Sequence, residues 1–310
     1  MLETVELVKT FKTNVAVDHV NLYLDPGESV GLLGPNGAGK STTISLISTL
    51  IQPTSGDVRF EGHSVIRDPK RIRSVLGVVP QEIALYDDLS AAENLHFFGS
   101  IYGLKGARLQ KAVKEALELV GLSERQNERI KTYSGGMKRR INIAAALLHE
   151  PKIVIMDEPT VGIDPQSRNH ILETVRLLNR EKRMTVLYTS HYMEEVEQLC
   201  DRIYIMDHGK VIASGRKDEL KRILSAEDTI ILQLEQPCPP LLEELRQMEG
   251  IRQAAAEENS LKLIADKQND VLGSLFQAAE RHQAKIVNLH VQKPTLEDVF
   301  LHLTGRKLRD

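Results

Sequence analysis

The sequence predicts an α/β fold followed by a smaller α+β domain, and three observations carry that prediction. An apolar run, Ser29 to Leu33, leads into Gly34-Pro35-Asn36-Gly37-Ala38-Gly39-Lys40-Ser41 and then into a helix-like run from Lys40 to Leu50. A second apolar run, Ile153-Val154-Ile155-Met156, follows Pro151 and ends in the carboxylate pair Asp157-Glu158. Beyond Gly215 the pattern changes to short alternating strand-like and helical segments, which places a domain boundary between residues 1–215 and 216–310.

The octapeptide Gly34 to Ser41 fits the phosphate-loop pattern G-x-x-x-x-G-K-[ST], in the strand, loop, helix context the pattern requires. Its glycines let the backbone curl so that successive N–H groups point at phosphate oxygens, and the following helix adds its positive end. Lys40 would neutralise β- and γ-phosphates, the Ser41 hydroxyl would ligate Mg²⁺, and Thr42 lies within reach of the α-phosphate. Asp157 suits the Mg²⁺ shell. Glu158, one residue on and so on the opposite side of the strand end, can stand beside the γ-phosphate and polarise an attacking water.

Between these motifs the chain reads as strand-like from Ser74 to Pro80, with Gln81 after it, and then as helical. Ser90 and Glu93 form a capping-box pattern ahead of Leu95, Phe97 and Phe98, while Leu109, Val113, Leu117 and Val120 share one helical face before Gly121. Tyr133-Ser134-Gly135-Gly136-Met137 opens another helix, whose Lys138-Arg139-Arg140 reads as a solvated face. Asp164 before Pro165 reads as an N-cap followed by proline at the first helical position. A strand-like Thr185 to Ser190 precedes His191, and Arg202 to Asp207, the turn His208-Gly209 and Lys210 to Ala213 close the first domain.

The second domain alternates strand-like Thr229 to Leu234, a break at Pro237, Pro239 and Pro240, helical Leu241 to Met248, strand-like Leu261 to Ala265, helical Val271 to Arg281 and strand-like Lys285 to Val291. It ends in Pro294 to Leu301, where Thr295 and Asp298 make a second capping pair, and then Leu303-Thr304-Gly305.

Composition narrows the functional classes. A net charge of −3 without a dense Lys/Arg run argues against nucleic acid as the main partner. Cys200 and Cys238 are the only cysteines and lack metal spacing, so neither a disulfide framework nor a zinc site is expected. No stretch approaches the ~18 uninterrupted apolar residues of a membrane span, and the N-terminus lacks a signal pattern. At 310 residues and 41% apolar content the chain is long enough for two cores, and it reads as soluble.

Taken in order, these motifs resemble the nucleotide-binding subunit of an ABC (ATP-binding cassette) transporter, over residues 1 to about 215. The resemblance implies a P-loop cassette with a RecA-like core, an antiparallel β subdomain and a helical subdomain, using ATP and Mg²⁺. It implies that Ser134, Gly135 and Gly136 are the family signature, contacting the γ-phosphate of ATP held by an opposite subunit. Gln81 matches the loop glutamine that touches Mg²⁺ or water and senses the membrane partner, Asp164 the D-loop, and His191 the switch histidine on the γ-phosphate. Phe11 would stack on adenine. Tyr133 and Ile163 replace the usual leucines of the signature and the D-loop, and neither change removes a phosphate-contacting atom. The tail resembles the C-terminal extension of bacterial drug-resistance (daunorubicin-type) exporter ATPases.

What the resemblance implies is a head-to-tail dimer, most simply of two identical subunits, that closes on ATP and drives a separate membrane permease from the cytoplasmic face of the cell membrane. The docking surface would lie near Tyr86, Asp87 and Asp88. An ABC ATPase acting on nucleic acid or ribosomes would instead predict two cassettes or a long coiled-coil insertion, and neither is seen. In a P-loop kinase, Ser134-Gly135-Gly136 and His191 would have no task. The transported substrate is not encoded here; drug, antibiotic, lipid and sodium export remain open.

Overall fold

The computed structural model describes residues 1–190, 192–224, 227–257, 260–266, 271–292 and 295–305. His191 and Pro294 therefore lie outside the described residues. The chain divides into two compact units, Met1–Arg216 and Lys217–Gly305.

In the first unit β1 (Leu2–Phe11), β2 (Asn14–Val20) and β3 (Tyr23–Leu24) lead to β4 (Ser29–Leu33) and α1 (Lys40–Ile47). After β5 (Ser55–Phe60), β6 (His63–Ser64) and α2 (Pro69–Arg73) comes β7 (Leu76–Val79), then the helices α3 (Ala91–Ile101), α4 (Gly106–Leu119) and α5 (Gly135–Leu147). The chain then alternates β8 (Ile153–Met156), α6 (Pro165–Lys182), β9 (Thr185–Thr189), α7 (Met193–Leu199) and β10 (Arg202–Asp207), and closes with β11 (Lys210–Arg216).

These elements form an antiparallel sheet in the order β2-β1-β5-β6, with β3 also on β1, and a six-stranded sheet in the order β11-β10-β4-β9-β8-β7. In the second sheet β10, β4, β9, β8 and β7 run parallel and β11 is antiparallel. Every residue of β4, β8 and β9 is buried, as expected of parallel strands covered on both faces, and this is why they read as unbroken apolar runs. One core joins both sheets through Leu7, Val17, Leu46, Ile155, Leu187 and Met206. A separate core of Leu95, Val113, Leu117, Tyr133 and Ile141 holds the three helices α3, α4 and α5.

The second unit runs α8 (Lys217–Lys221), β12 (Glu227–Leu234), α9 (Pro239–Gln247), β13 (Ile251–Glu257), β14 (Ser260–Asp266), α10 (Val271–Arg281), β15 (Ile286–Gln292) and α11 (Leu296–Thr304). Its sheet is antiparallel in the order β13-β14-β12-β15. Leu232, Leu263, Leu241 and Leu275 join β12, β14, α9 and α10 in its core. The observed architecture is the expected one, with local differences. Pro239 and Pro240 occupy the first positions of α9 rather than a break, where proline costs no hydrogen bond. The helix α1 stops at Ile47 rather than Leu50, because Thr49 takes a left-handed φ of 58°.

Candidate active site

The turn from β4 into α1 shapes the phosphate loop. Gly39 caps α1 with a φ of 101°, and a Cβ there would sit 2.4 Å from the Ala16 carbonyl oxygen, so both conformation and space require glycine. Lys40 follows it and is buried. Its Nζ donates to the carbonyl oxygens of Gly34 at 2.7 Å and Pro35 at 3.2 Å. Burial pushes the Lys40 ammonium below its ordinary pKa of 10.5, while the nearby Glu158 and Asp157 charges oppose that shift.

The end of β8 delivers the carboxylates, both buried. Thr189, at the end of the neighbouring strand β9, donates its hydroxyl to Asp157 Oδ1 at 2.8 Å and accepts the Glu158 backbone N–H at 2.9 Å. These bonds hold Glu158 at a φ of 49°, a left-handed conformation that costs a non-glycine residue on the order of 1–3 kcal/mol. Gln81 Nε2 donates to Glu158 Oε2 at 2.9 Å.

One cleft is lined by Phe11, loop residues Asn36 to Thr42, Gln81 and Glu158, so these residues are brought together. Gly34 and Pro35 are not among the lining residues; their carbonyl oxygens hold the Lys40 ammonium. Phe11 is 47% exposed, with Lys9 Nζ 5.1 Å from its ring centroid. Asn14, Ala16 and His208 also line the cleft, and no local motif announces them. They arrive through tertiary bracing: Gly209 N donates to Ala38 O at 3.0 Å, and Asp18 N to Gly209 O at 2.8 Å.

Ser134, Gly135, Gly136 and Asp164 gather elsewhere in the same unit and are not among the residues lining that cleft. Ser134 caps α5, its Oγ accepting from Met137 N at 3.3 Å, and Asp164 caps α6, its Oδ1 accepting from Ser167 N at 2.8 Å. A Cβ on Gly136 would lie 2.0 Å from Ser167 Oγ and 3.1 Å from Asp164 Oδ2, so the signature glycine packs directly on the start of α6. Gly135 opens α5 beside it. Tyr133 fills the usual leucine position and donates its hydroxyl to Arg125 O at 2.6 Å.

The basic cluster is not a solvated face. Arg139 is buried and donates to Pro80 O at 2.8 Å and Gln81 O at 2.6 Å, tying α5 to the Gln81 loop. Arg140 donates to Val120 O at 3.0 Å, while Lys138 pairs at 2.7 Å with the exposed Asp87, so the two arginines turn inward and only the lysine stays at the surface.

Ser41 and Gln81 line the cleft, and Asp157 adjoins Glu158 without being among the lining residues; a hydroxyl, an amide oxygen and a carboxylate are hard oxygen donors of the kind that suit Mg²⁺ completed by phosphate and water. Among the described residues no group of three His, Cys, Asp or Glu side chains could hold a metal without such help.

Comparison with known proteins identifies the family. A family model described as ABC transporter matches residues 17–161. The linearmycin resistance ATP-binding protein LnrL of Bacillus subtilis (strain 168) is 49% identical over 100% of both chains. The chain belongs to the ABC transporter ATP-binding proteins. A second family model, the ATP-binding protein DrrA1-3-like C-terminal domain, matches residues 215–304 of this ABC protein. The daunorubicin/doxorubicin resistance ATP-binding protein DrrA of Streptomyces peucetius is 35% identical over 100% of this chain and 94% of its own. Among solved structures, the dimeric post-hydrolysis state of an ATP-binding cassette bound to ADP and Pi aligns with a TM-score of 0.65 at 28% identity, covering 70% of this chain and 98% of that one. The protein is thus an ATP-binding ABC ATPase, and nothing in these relatives favours action on nucleic acid or ribosomes. Among its described residues no helix is long and apolar enough to cross a membrane.

Proposed function

We propose that this ABC ATPase is the energising subunit of an exporter, working as a head-to-tail homodimer on a separate membrane permease that carries a drug- or antibiotic-like small molecule. Residues 1–215 serve as the ATP-binding domain and residues 216–310 as an accessory domain without a ligand of its own. In this reading Phe11 stacks on adenine, residues Gly34 to Thr42 hold the phosphates, and Ser41, Gln81 and Asp157 hold Mg²⁺, which neutralises charge on the β- and γ-phosphates. Glu158, held by Gln81 and by its backbone bond to Thr189, orients and polarises the attacking water, and His191 bonds the γ-phosphate.

The observation that carries the dimer is the division of motifs within one unit. Lys40, Gln81 and Glu158 meet in the cleft, whereas Ser134, Gly135, Gly136 and Asp164 cluster at the starts of α5 and α6 and do not line it. A second copy in head-to-tail arrangement supplies the missing signature to each cleft. Closure on ATP moves the permease and hydrolysis resets it. The permease would dock on the exposed apolar patch of Tyr86, Phe97 and Ile101, where Tyr86 and Phe97 ring centroids lie 4.9 Å apart and Ile101 follows Phe97 by one turn of α3. The protein would then sit at the cytoplasmic face of the cell membrane.

The names of two relatives support a drug-like substrate: linearmycin resistance and daunorubicin/doxorubicin resistance. The test is a chromosomal Lys40→Ala replacement in the native cell, scored for growth against a panel of amphiphilic antibiotics and DNA-intercalating drugs. Increased sensitivity to at least one is expected. Unchanged sensitivity across the panel would reject drug export.

A further inference from the structure

Glu195, on α7, is a buried carboxylate that the reading above does not use. Its Oε2 accepts three hydroxyl hydrogen bonds: from Thr160 at 2.8 Å, from Ser190 at 2.6 Å and from Tyr188 at 2.9 Å. Three donors saturate one carboxylate oxygen. Burial holds the Tyr188 phenol well above its ordinary pKa, so it remains a donor. Arg168 Nε stands 3.5 Å from Oε1, and the same guanidinium lies 4.1 Å from the Tyr192 ring centroid.

Two of these hydroxyls belong to the loops that carry residues assigned above to the nucleotide. Thr160 is two residues beyond Glu158 and four before Asp164, and Ser190 directly precedes His191. Ser190 Oγ also accepts the backbone N–H of Tyr192 at 2.9 Å, so one hydroxyl links Glu195 to the residue on the far side of His191. Glu195 N donates to Tyr192 O at 3.1 Å, and Arg168 N to Asp164 O at 3.0 Å. The carboxylate is therefore bonded, directly or through one neighbour, to the segments that carry Glu158, Asp164 and His191.

We propose that Glu195 is a positioning residue for ATP hydrolysis, a buried anchor that fixes the loop after β8 and the loop after β9 in one mutual geometry. The proposal rests on the roles assigned above to Glu158 and His191. Removing the anchor leaves the phosphate loop intact, since neither Lys40 nor any residue from Gly34 to Thr42 bonds to Glu195. Binding is therefore retained while the hydrolytic groups lose alignment, and misplacement by about 1 Å costs on the order of a hundredfold in rate.

The test uses the full chain carrying Glu195→Gln, Thr160→Val, Ser190→Ala, the Thr160→Val/Ser190→Ala pair and the triple variant. Turnover, the Kd for a fluorescent ATP analogue and thermal stability are measured for each. Glu195→Gln is expected to lower kcat about ten- to a hundredfold with the analogue's Kd unchanged. The triple variant should be no slower than Glu195→Gln, because the hydroxyls act through that one carboxylate. Wild-type kcat in Glu195→Gln, additive losses in the triple variant, or a parallel fall of kcat, affinity and melting temperature would each overturn the proposal. If Glu195→Gln fails to fold, the two hydroxyl variants decide: kcat loss at unchanged Kd supports the anchor, and wild-type kcat in both removes it. Glu158→Gln run in parallel separates the two readings. Wild-type turnover in that variant refutes the assigned role of Glu158, whereas an inactive Glu158→Gln beside a fully active Glu195→Gln refutes only the anchor.

Discussion

Gln81 Nε2 donates to Glu158 Oε2 at 2.9 Å although the residues are 77 positions apart in the chain. Strand register accounts for the meeting: β7 and β8 are parallel neighbours with Val79 opposite Met156, so the residues two positions beyond each leave the sheet side by side. In the function proposed above, the glutamine assigned to sensing the permease would thereby touch the carboxylate assigned to activating water.

Glu158→Gln should lower ATP turnover by at least about a hundredfold, the usual worth of a general base, while ATP binding persists because Lys40 and Asp157 are untouched. The variant should elute as an ATP-bound dimer in size-exclusion chromatography with Mg·ATP. Turnover at the wild-type rate would remove Glu158 from its role. Lys40→Ala should also lose affinity, about ten- to a hundredfold, as one charge-assisted phosphate contact of about 1.5–3 kcal/mol disappears.

The pH dependence of ATP binding should report Lys40. Burial lowers its pKa from 10.5, and Glu158 and Asp157 limit the drop. The ammonium form binds phosphate, so affinity is full below the folded pKa and declines as pH rises through it. Replacing Glu158 by glutamine deletes one supporting charge, so the decline should begin at lower pH than in the wild type. A nucleotide titration series toward alkaline pH checks this, and coincident profiles would contradict it. For folding the sign is opposite: between the depressed folded pKa and 10.5 the unfolded chain binds more protons, so Lys40 makes the nucleotide-free protein more stable as pH rises through that window.

A shared site makes a mixing experiment informative. Lys40→Ala and Ser134→Arg should each inactivate the homodimer, since both clefts are damaged in every molecule. Mixed with free exchange, about half the dimers combine the two lesions in one cleft and leave the other intact, so at most roughly a quarter of wild-type sites return. An undiminished Ser134→Arg homodimer would reject the contact across subunits. Absence of recovery with exchange verified would mean that the clefts cannot fire independently or that the natural partner differs.

Removal of the second unit should leave basal ATPase activity in place if the cut falls after Arg216. That residue ends β11 opposite Arg202 of β10, so a cut after Gly215 would shorten the edge of the nucleotide-binding sheet. A truncated chain that folds, as judged by circular dichroism, yet fails to bind ATP would refute the proposed boundary.

The sequence by itself determined what depends on short spacing. The phosphate loop was legible because a glycine-rich turn between an apolar run and a helix has one geometry. The capping pairs Ser90 with Glu93 and Thr295 with Asp298 were legible because both partners lie within one helical turn, and both form as capping boxes. The buried runs of β4, β8 and β9 declared a covered parallel sheet. Only the tertiary structure decided what joins these pieces. Thr189 reaches Asp157 across 32 positions and Thr160 reaches Glu195 across 35, so no local pattern announces either. Arg139 reads as a surface cation until the Gln81 loop folds over it and supplies two carbonyls. The strand β13 carries no local sequence signal, because Ile251–Glu257 lacks apolar alternation and forms through pairing with β14. Local chemistry fixes dihedrals and caps within a few residues, whereas these partners are set by the register of strands far apart in the chain, which exists only once the sheets have formed.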